Sequence, residues 1–237
     1  MTGGGDDELK LLGMWASPFV LRVKLALSFK GLSYEYIEED LSNKSDLLLS
    51  SNPLHKKVPV LIHNGKPVCE SQIIVQYVDE VFSSTSPALL SADPYERSMA
   101  LFWAAFIDDK FLVSWLQAGW GKTDEEKAEG LKQTFAAIET LEAAFKECSK
   151  GKPFFGGDSV GYLDIALGGL IAFLHAAEAR HGIKLFDTTR SPLLAVWQQR
   201  FGSLDETKAV LPDIHRLVEY ARTREAEAEA AAAAASN

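Results

Sequence analysis

Two apolar runs near the N-terminus, Leu9-Lys10-Leu11-Leu12 and Val20 to Phe29, with Ser17-Pro18 between them, constrain the fold more than any other stretch of the chain. Residues 9–15 read as a buried strand. Residues 18–30 read as a helix that is apolar on nearly every side, through Phe19, Val20, Val23, Leu25, Ala26, Leu27 and Phe29. Pro18 suits the first helical position because its missing N–H would have no partner there, and Gly31 supplies the stop. Tyr34 to Glu38 alternates as a second strand, and a strand-helix-strand crossover over residues 9–38 demands a parallel pair. Asn64-Gly65 between Pro59-Val60-Leu61-Ile62-His63 and Pro67-Val68-Cys69 is the strongest short-range hairpin signal, so these two strands are antiparallel. A helix follows from about Gln72 to Phe82, with Ile73, Ile74, Tyr77, Val78 and Val81 at helical spacing and Ser71 as its cap. This order gives a small mixed sheet with helices on its faces over residues 1–83.

A Ser/Thr/Pro-rich link, Ser83 to Pro87, opens a linker over 84–92, after which no convincing strand occurs. Asp93-Pro94 caps a long helix to about Gly119, and Thr123-Asp124-Glu125-Glu126 is a capping box opening another to about Cys148. Further helices are expected near Tyr162 to Ala179, after Ser191-Pro192 and after Pro212, making residues 93–224 an all-helical domain. From Glu225 the chain alternates Ala with Glu and ends in alanines. It has helix propensity but no apolar stripe to dock it, so residues 225–237 are expected to form a frayed tail without function.

The 24 basic and 33 acidic residues give a formal charge of −9 spread along the 237 residues, which argues against nucleic acid as a partner. Cys69 and Cys148 are far apart and form no Cys-x-x-Cys pattern, and the five histidines show no ligand spacing. Neither a disulfide framework nor a metal is expected, and a reducing, cytosolic setting fits. The first residues lack the basic patch and apolar core of a signal peptide, and no uninterrupted apolar run is long enough for a membrane span.

Ser17 stands where a strand ends and a helix begins, at the positive end of the helix, where thiolates and other anions are stabilised. Read from the residues alone it is a capping serine, Ser71 is a second cap with Glu70 as a favourable acid beside it, and Pro59 is an ordinary trans proline opening a strand. No His-Asp pair accompanies Ser17, and Ser-Pro is not a nucleophile elbow. Taken together, Ser17-Pro18-Phe19, Glu38-Glu39-Asp40-Leu41, Asn43-Lys44-Ser45, the block Asn52 to Leu61 and the block His63 to Ser71 resemble the cytosolic glutathione transferases, in particular the plant tau class. The similarity extends to about residue 224.

That resemblance implies a thioredoxin-like N-terminal domain with a mixed four-stranded sheet, a C-terminal all-helical domain, a homodimer, and glutathione as co-substrate with no further cofactor. It implies that Ser17 donates a hydrogen bond to the glutathione sulfur and favours thiolate. Pro59 would be cis and turn the backbone of Val58 outward to pair with the cysteinyl backbone. Ser71 and the free N–H groups beside it would hold the γ-glutamyl carboxylate, Glu70 the amino group, and Lys44 and Lys57 the glycyl carboxylate, although Lys56 and Lys57 are adjacent and either could point inward. Phe19, Phe111 and Trp115 are the expected wall for apolar electrophiles, with core packing the competing reading for the last two. Asp164, three residues after Gly161, resembles half of an internal capping box and is assigned to folding. Arg22, one turn on from Ser17, either tunes the thiolate or pairs with a carboxylate. Conjugation of electrophilic xenobiotics is the expected activity. A carrier of glutathione and apolar ligands with little turnover is the alternative, and a thiol reductase would want cysteine at position 17.

Overall fold

The computed structural model describes residues 8–84 and 88–235, so residues 1–7, and the part of the Ser83–Pro87 link at 85–87, lie outside the described residues. The chain begins with β1 (Leu9–Gly13), α1 (Pro18–Phe29), β2 (Glu35–Glu38), α2 (Asp46–Ser51), β3 (Val60–His63), β4 (Lys66–Cys69) and α3 (Ser71–Val81). The sheet order is β2-β1-β3-β4. β1 and β2 run parallel with Leu11 opposite Tyr36, while β3 is antiparallel to both β1 and β4. This is the mixed four-stranded sheet expected from the crossover and the hairpin.

Alternation along the strands sorts the sheet's two faces. Leu9, Leu11 and Leu61 pack with Val20, Val23, Leu27, Ile74 and Val78 of α1 and α3. Leu12, Val60 and Ile62 face the other way onto Leu48 of α2. The short α2 was not anticipated. Ser45 caps it by accepting Leu48 N–H at 3.0 Å, and buried Glu39 holds Ser45 in place. The all-round apolarity of α1 has a direct cause. Its Leu21, Leu25 and Ala26 join a second core built from the helices that follow, so α1 is sandwiched between sheet and helices.

Those helices are α4 (Pro94–Phe106), α5 (Val113–Trp120), α6 (Asp124–Ser149), α7 (Tyr162–Gly168), α8 (Ile171–His181), α9 (Pro192–Ser203), α10 (Asp205–Lys208) and α11 (Ile214–Ala235). Two expected helices are divided. A π-helical turn, Ile107–Leu112, separates α4 from α5. The helix expected over Tyr162 to Ala179 breaks at Gly169-Leu170. There the backbone presses on α1 so closely that a Cβ on Gly169 would lie 2.4 Å from Arg22 Cγ and 2.9 Å from the Pro18 carbonyl. The stretch Tyr162–His181 is apolar and long enough to cross a membrane by composition alone, but 72% of its 18-residue apolar window is buried inside the molecule. Helix extends through much of the segment from Glu225, in keeping with its helix propensity. α11 continues to Ala235, and Glu225 pairs with Arg180 of α8.

Buried polar groups fasten the two halves. Lys30, the C-terminal cap of α1, donates to Asp79 of α3 at 2.7 Å, and Asp79 also accepts the N–H groups of Leu89 and Leu90 in the connecting segment. The Leu89 carbonyl in turn accepts Tyr162 N–H at 2.8 Å, at the start of α7. Deeper in the helical half, Asp164 is fully buried and accepts from Phe155, Gly156 and Gly161 N–H and from the Trp197 indole. Because Gly161 has no side chain to reciprocate, the capping box is half complete, as expected. Burial pushes the Asp164 carboxyl up to about 6 against these donors.

Candidate functional site

The site grows from two helix N-termini and one loop. At the first, Gly13 ends β1, Met14 O accepts Ser17 N–H at 3.1 Å, and Ser17 caps α1 by accepting Val20 N–H at 3.3 Å. The turn leading to it is pinned by Glu38, which takes Trp15 N–H at 3.0 Å and the Tyr36 hydroxyl at 2.7 Å. Ser17 thus spends its oxygen on the helix, while its hydroxyl proton has no partner among the described contacts.

At the second N-terminus the expected cap is displaced by one residue. Glu70 occupies the cap position in the left-handed region, φ 71°, and Ser71 is the first helical residue, 6% exposed. The chain must reverse sharply from β4 into α3, and Glu70 absorbs that reversal, a backbone cost of the kind often found at binding sites. No side chain caps α3, so its first N–H groups and the Ser71 hydroxyl are left for a ligand.

The loop is the segment before β3. The Val58–Pro59 peptide is cis, as the resemblance implies. Asn52, 3% exposed, braces this loop by donating to Lys57 O at 3.0 Å and accepting His55 N–H at 3.1 Å.

These pieces surround a cavity of about 260 Å³. Of the residues singled out in the sequence, Phe19, Lys57, Val58, Pro59, Glu70 and Ser71 line it. Between the adjacent lysines, Lys57 is the one on the cavity wall. Ser17 and Lys44 are not lining residues. Ser17 lies two residues before Phe19 on the same turn, and Lys44 is half-buried just ahead of α2. Phe111 requires correction, since its ring is fully buried and stacked with Trp115 and Phe186 in the helical core. Trp115 packs against that core and does not line the cavity either. Phe111 is therefore a core ring, the competing reading for it, and Trp115 is a half-buried ring packed on that core.

Three lining residues were missed: Asn52, Gln72 and Asp108. Asp108 offered a faint signal, an acid beside a run of apolar residues on a long helix. Its partner was the other half of an open alternative, for Arg22 pairs with a carboxylate. The Arg22 side chain is 1% exposed and grips Asp108 with both terminal nitrogens, at 2.5 and 2.9 Å. Cys69, next to Glu70, donates to Ser51 O, and burial followed by the Glu70 charge pushes its thiol up. Among the described residues no group of His, Cys, Asp and Glu could hold a metal ion.

A cavity lined by the carboxylates of Glu70 and Asp108, Ser71, Lys57 and the Val58 segment suits a small peptide that carries charges of both signs. Comparison with known proteins points the same way. Family models described as Glutathione S-transferase, N-terminal domain and Glutathione S-transferase, C-terminal domain match residues 7–80 and 124–200. The chain is 53% identical over 224 residues to a probable glutathione S-transferase of Oryza sativa subsp. japonica, covering 92% of this chain and 95% of that one. It is 46% identical over 216 residues to a glutathione S-transferase of Arabidopsis thaliana, covering 91% and 95%. Among solved structures it resembles a tau class glutathione S-transferase from mango, Mangifera indica, with TM-score 0.86 and 45% identity, covering 91% of this chain and 98% of that one. A rice enzyme solved in complex with glutathione gives TM-score 0.84 at 36% identity, covering 94% and 99%.

Proposed function

Because this chain belongs to the glutathione S-transferase family, on its tau-class branch, we propose that it conjugates the thiol of glutathione to apolar electrophiles and that Ser17 is the residue that readies the thiol. The observation that carries this reading is the convergence of Val58, Glu70, Ser71 and Lys57 on one cavity beside the N-terminus that Ser17 caps. Each chemical feature of glutathione then has a counterpart. The outward backbone of Val58 pairs with the cysteinyl amide, Ser71 and the uncapped start of α3 take the γ-glutamyl carboxylate, and Glu70 takes the ammonium. Lys57, with Lys44 from the neighbouring loop, meets the glycyl carboxylate.

Ser17 donates its free proton to the sulfur. A hydrogen bond to a charged group contributes about 1.5–3 kcal/mol, and one pKa unit corresponds to about 1.36 kcal/mol, so this bond with the α1 N-terminus brings a thiol of ordinary pKa near 8.5 towards neutrality. The thiol proton leaves to solvent, and the thiolate attacks an electrophilic carbon by substitution or conjugate addition. Phe19, 36% exposed at the cavity edge, is the aromatic side chain placed to meet an apolar substrate. Exposed Leu54, Ile73 and Phe102 support a homodimer, since burying them between two copies removes apolar area from water. The two unpaired cysteines support a reducing, cytoplasmic setting.

The test is the initial rate of glutathione conjugation to a chlorodinitrobenzene-type electrophile across pH 6 to 8, for wild type and Ser17→Ala. Turnover with a depressed thiol pKa in wild type, and its loss in the variant, is the expected result. Glutathione binding without turnover above background in wild type would turn the reading to a carrier.

A further inference from the structure

α11 is docked on two flanks that differ in kind. On one, Ile214, Leu217 and Val218 pack on the helical core, and half-buried Ala221 and Glu225 continue that stripe at helical spacing. The apolar side chains run out there, and an ion pair takes their place: Glu225 Oε2 accepts from Arg180 Nη2 in the last turn of α8. The Arg180 side chain is 13% exposed and that of Glu225 43%, so Arg180 is the member left poorly hydrated without its partner. On the other flank α11 reaches the turn that carries Ser17. Tyr220 meets the Trp15 ring edge-on with centroids 5.5 Å apart, and the Arg216 guanidinium lies over the same ring at 3.8 Å. Beside these contacts the approach is loose, for a cavity of about 190 Å³ lies between the start of α11 and α1, lined by Trp15, Leu21, Leu211 and Arg216 among others. The two ring contacts are therefore the firm link between α11 and the turn. Trp15 is held from behind by Glu38, which accepts its N–H at 3.0 Å, and Ser17 follows two residues later. Glu225 stands five residues beyond Tyr220, about 7.5 Å along one rigid helix.

We propose that Arg180 is a positioning residue for the conjugation reaction, acting through Glu225: the pair fixes α11 on α8, so that Tyr220 and Arg216 hold Trp15, and with it the turn that aims the Ser17 hydroxyl at the sulfur. This rests on the reading that Ser17 readies the thiol. Without the pair, α11 is free to shift at that end, the support of Trp15 loosens, and Ser17 departs from a geometry on which a hydrogen bond depends steeply. The two charged ends of glutathione are read by residues of α3 and of the loop before β3, so affinity for glutathione is not what the pair controls.

The test uses the full chain as wild type, Arg180→Gln, Glu225→Gln and the exchanged pair Arg180→Glu with Glu225→Arg. The thiol of bound glutathione is titrated by the ultraviolet absorbance of its thiolate, and kcat and KM are measured with a chlorodinitrobenzene-type electrophile. Each single variant should raise the bound thiol pKa by about 0.5 and lower kcat below pH 7 about two- to threefold, with the glutathione dissociation constant changed by less than about twofold. The exchanged pair should return both towards the wild-type values. An unchanged thiol pKa in Glu225→Gln, a loss of glutathione affinity as large as the loss of kcat, or no recovery in the exchanged pair overturns the proposal while leaving the transferase reading intact. The Glu225→Gln arm decides alone if the variants at Arg180 do not fold. A wild type that binds glutathione without lowering its thiol pKa overturns the role of Ser17 and this proposal together.

Discussion

Ser17 has one oxygen with which to accept Val20 N–H and one proton to give away, and the proposed chemistry spends them on different partners. Ser17→Ala should therefore lower kcat by about 10²–10³-fold with little change in glutathione affinity, since a donor acting mainly on the reacting charge is worth about that much. It should also cost about 1 kcal/mol of stability through the lost cap, whereas Ser17→Thr restores both. At Asp164 the stakes are larger, because four donors depend on one buried carboxylate. Asp164→Ala should destabilise by about 3–5 kcal/mol, read from the urea midpoint. Its folded pKa, pushed up to about 6, lies above the ordinary value of 3.8, so the folded state holds the proton more tightly. This contribution is complete below about pH 4 and is lost as pH rises through about 6, so the wild type's advantage over Asp164→Ala should be larger at pH 4 than at pH 7. Residue-level signals were legible where chemistry is local, as with the caps at Ser17 and Thr123. They failed where the partner is remote: Arg22 and Asp108 are 86 positions apart, and no periodicity links them.

Among elements, α1 shows how much a pattern can carry. Its unusual apolarity was visible in the sequence, and its cause is the pair of cores it separates. Strands, hairpin and crossover were legible for the same reason, because alternation and Asn64-Gly65 act locally. The π turn, the break at Gly169-Leu170 and the left-handed Glu70 were not, for each answers to tertiary approach and not to propensity. Phe111, for which facing an electrophile and packing in the core were both open, is a core ring. Gly169→Ala tests the approach itself. Its Cβ would press on the Pro18 carbonyl and the Arg22 stem, so the start of α1 must shift. A loss of about 1–3 kcal/mol in unfolding free energy, with a fall in conjugation rate because Ser17 moves with that turn, is expected.

For the whole molecule, the proposed dimer predicts a sedimentation mass of twice the chain. Leu54→Lys, placing charge on a side chain that is 88% exposed in one copy, should shift it to the single-chain value while the far-ultraviolet circular dichroism stays unchanged. The Lys30–Asp79 pair acts at this scale too. It lies under the connecting segment, whose Leu89 and Leu90 amides it holds while the Leu89 carbonyl reaches α7. Two family models cover the two ends of the chain as though they were separate modules, yet the joint is buried and shared. A half transplanted into a relative would bring the lysine and aspartate but meet a foreign connecting segment and a foreign α7. Exchange of whole halves between relatives by recombination should therefore cost stability unless the joint travels with them.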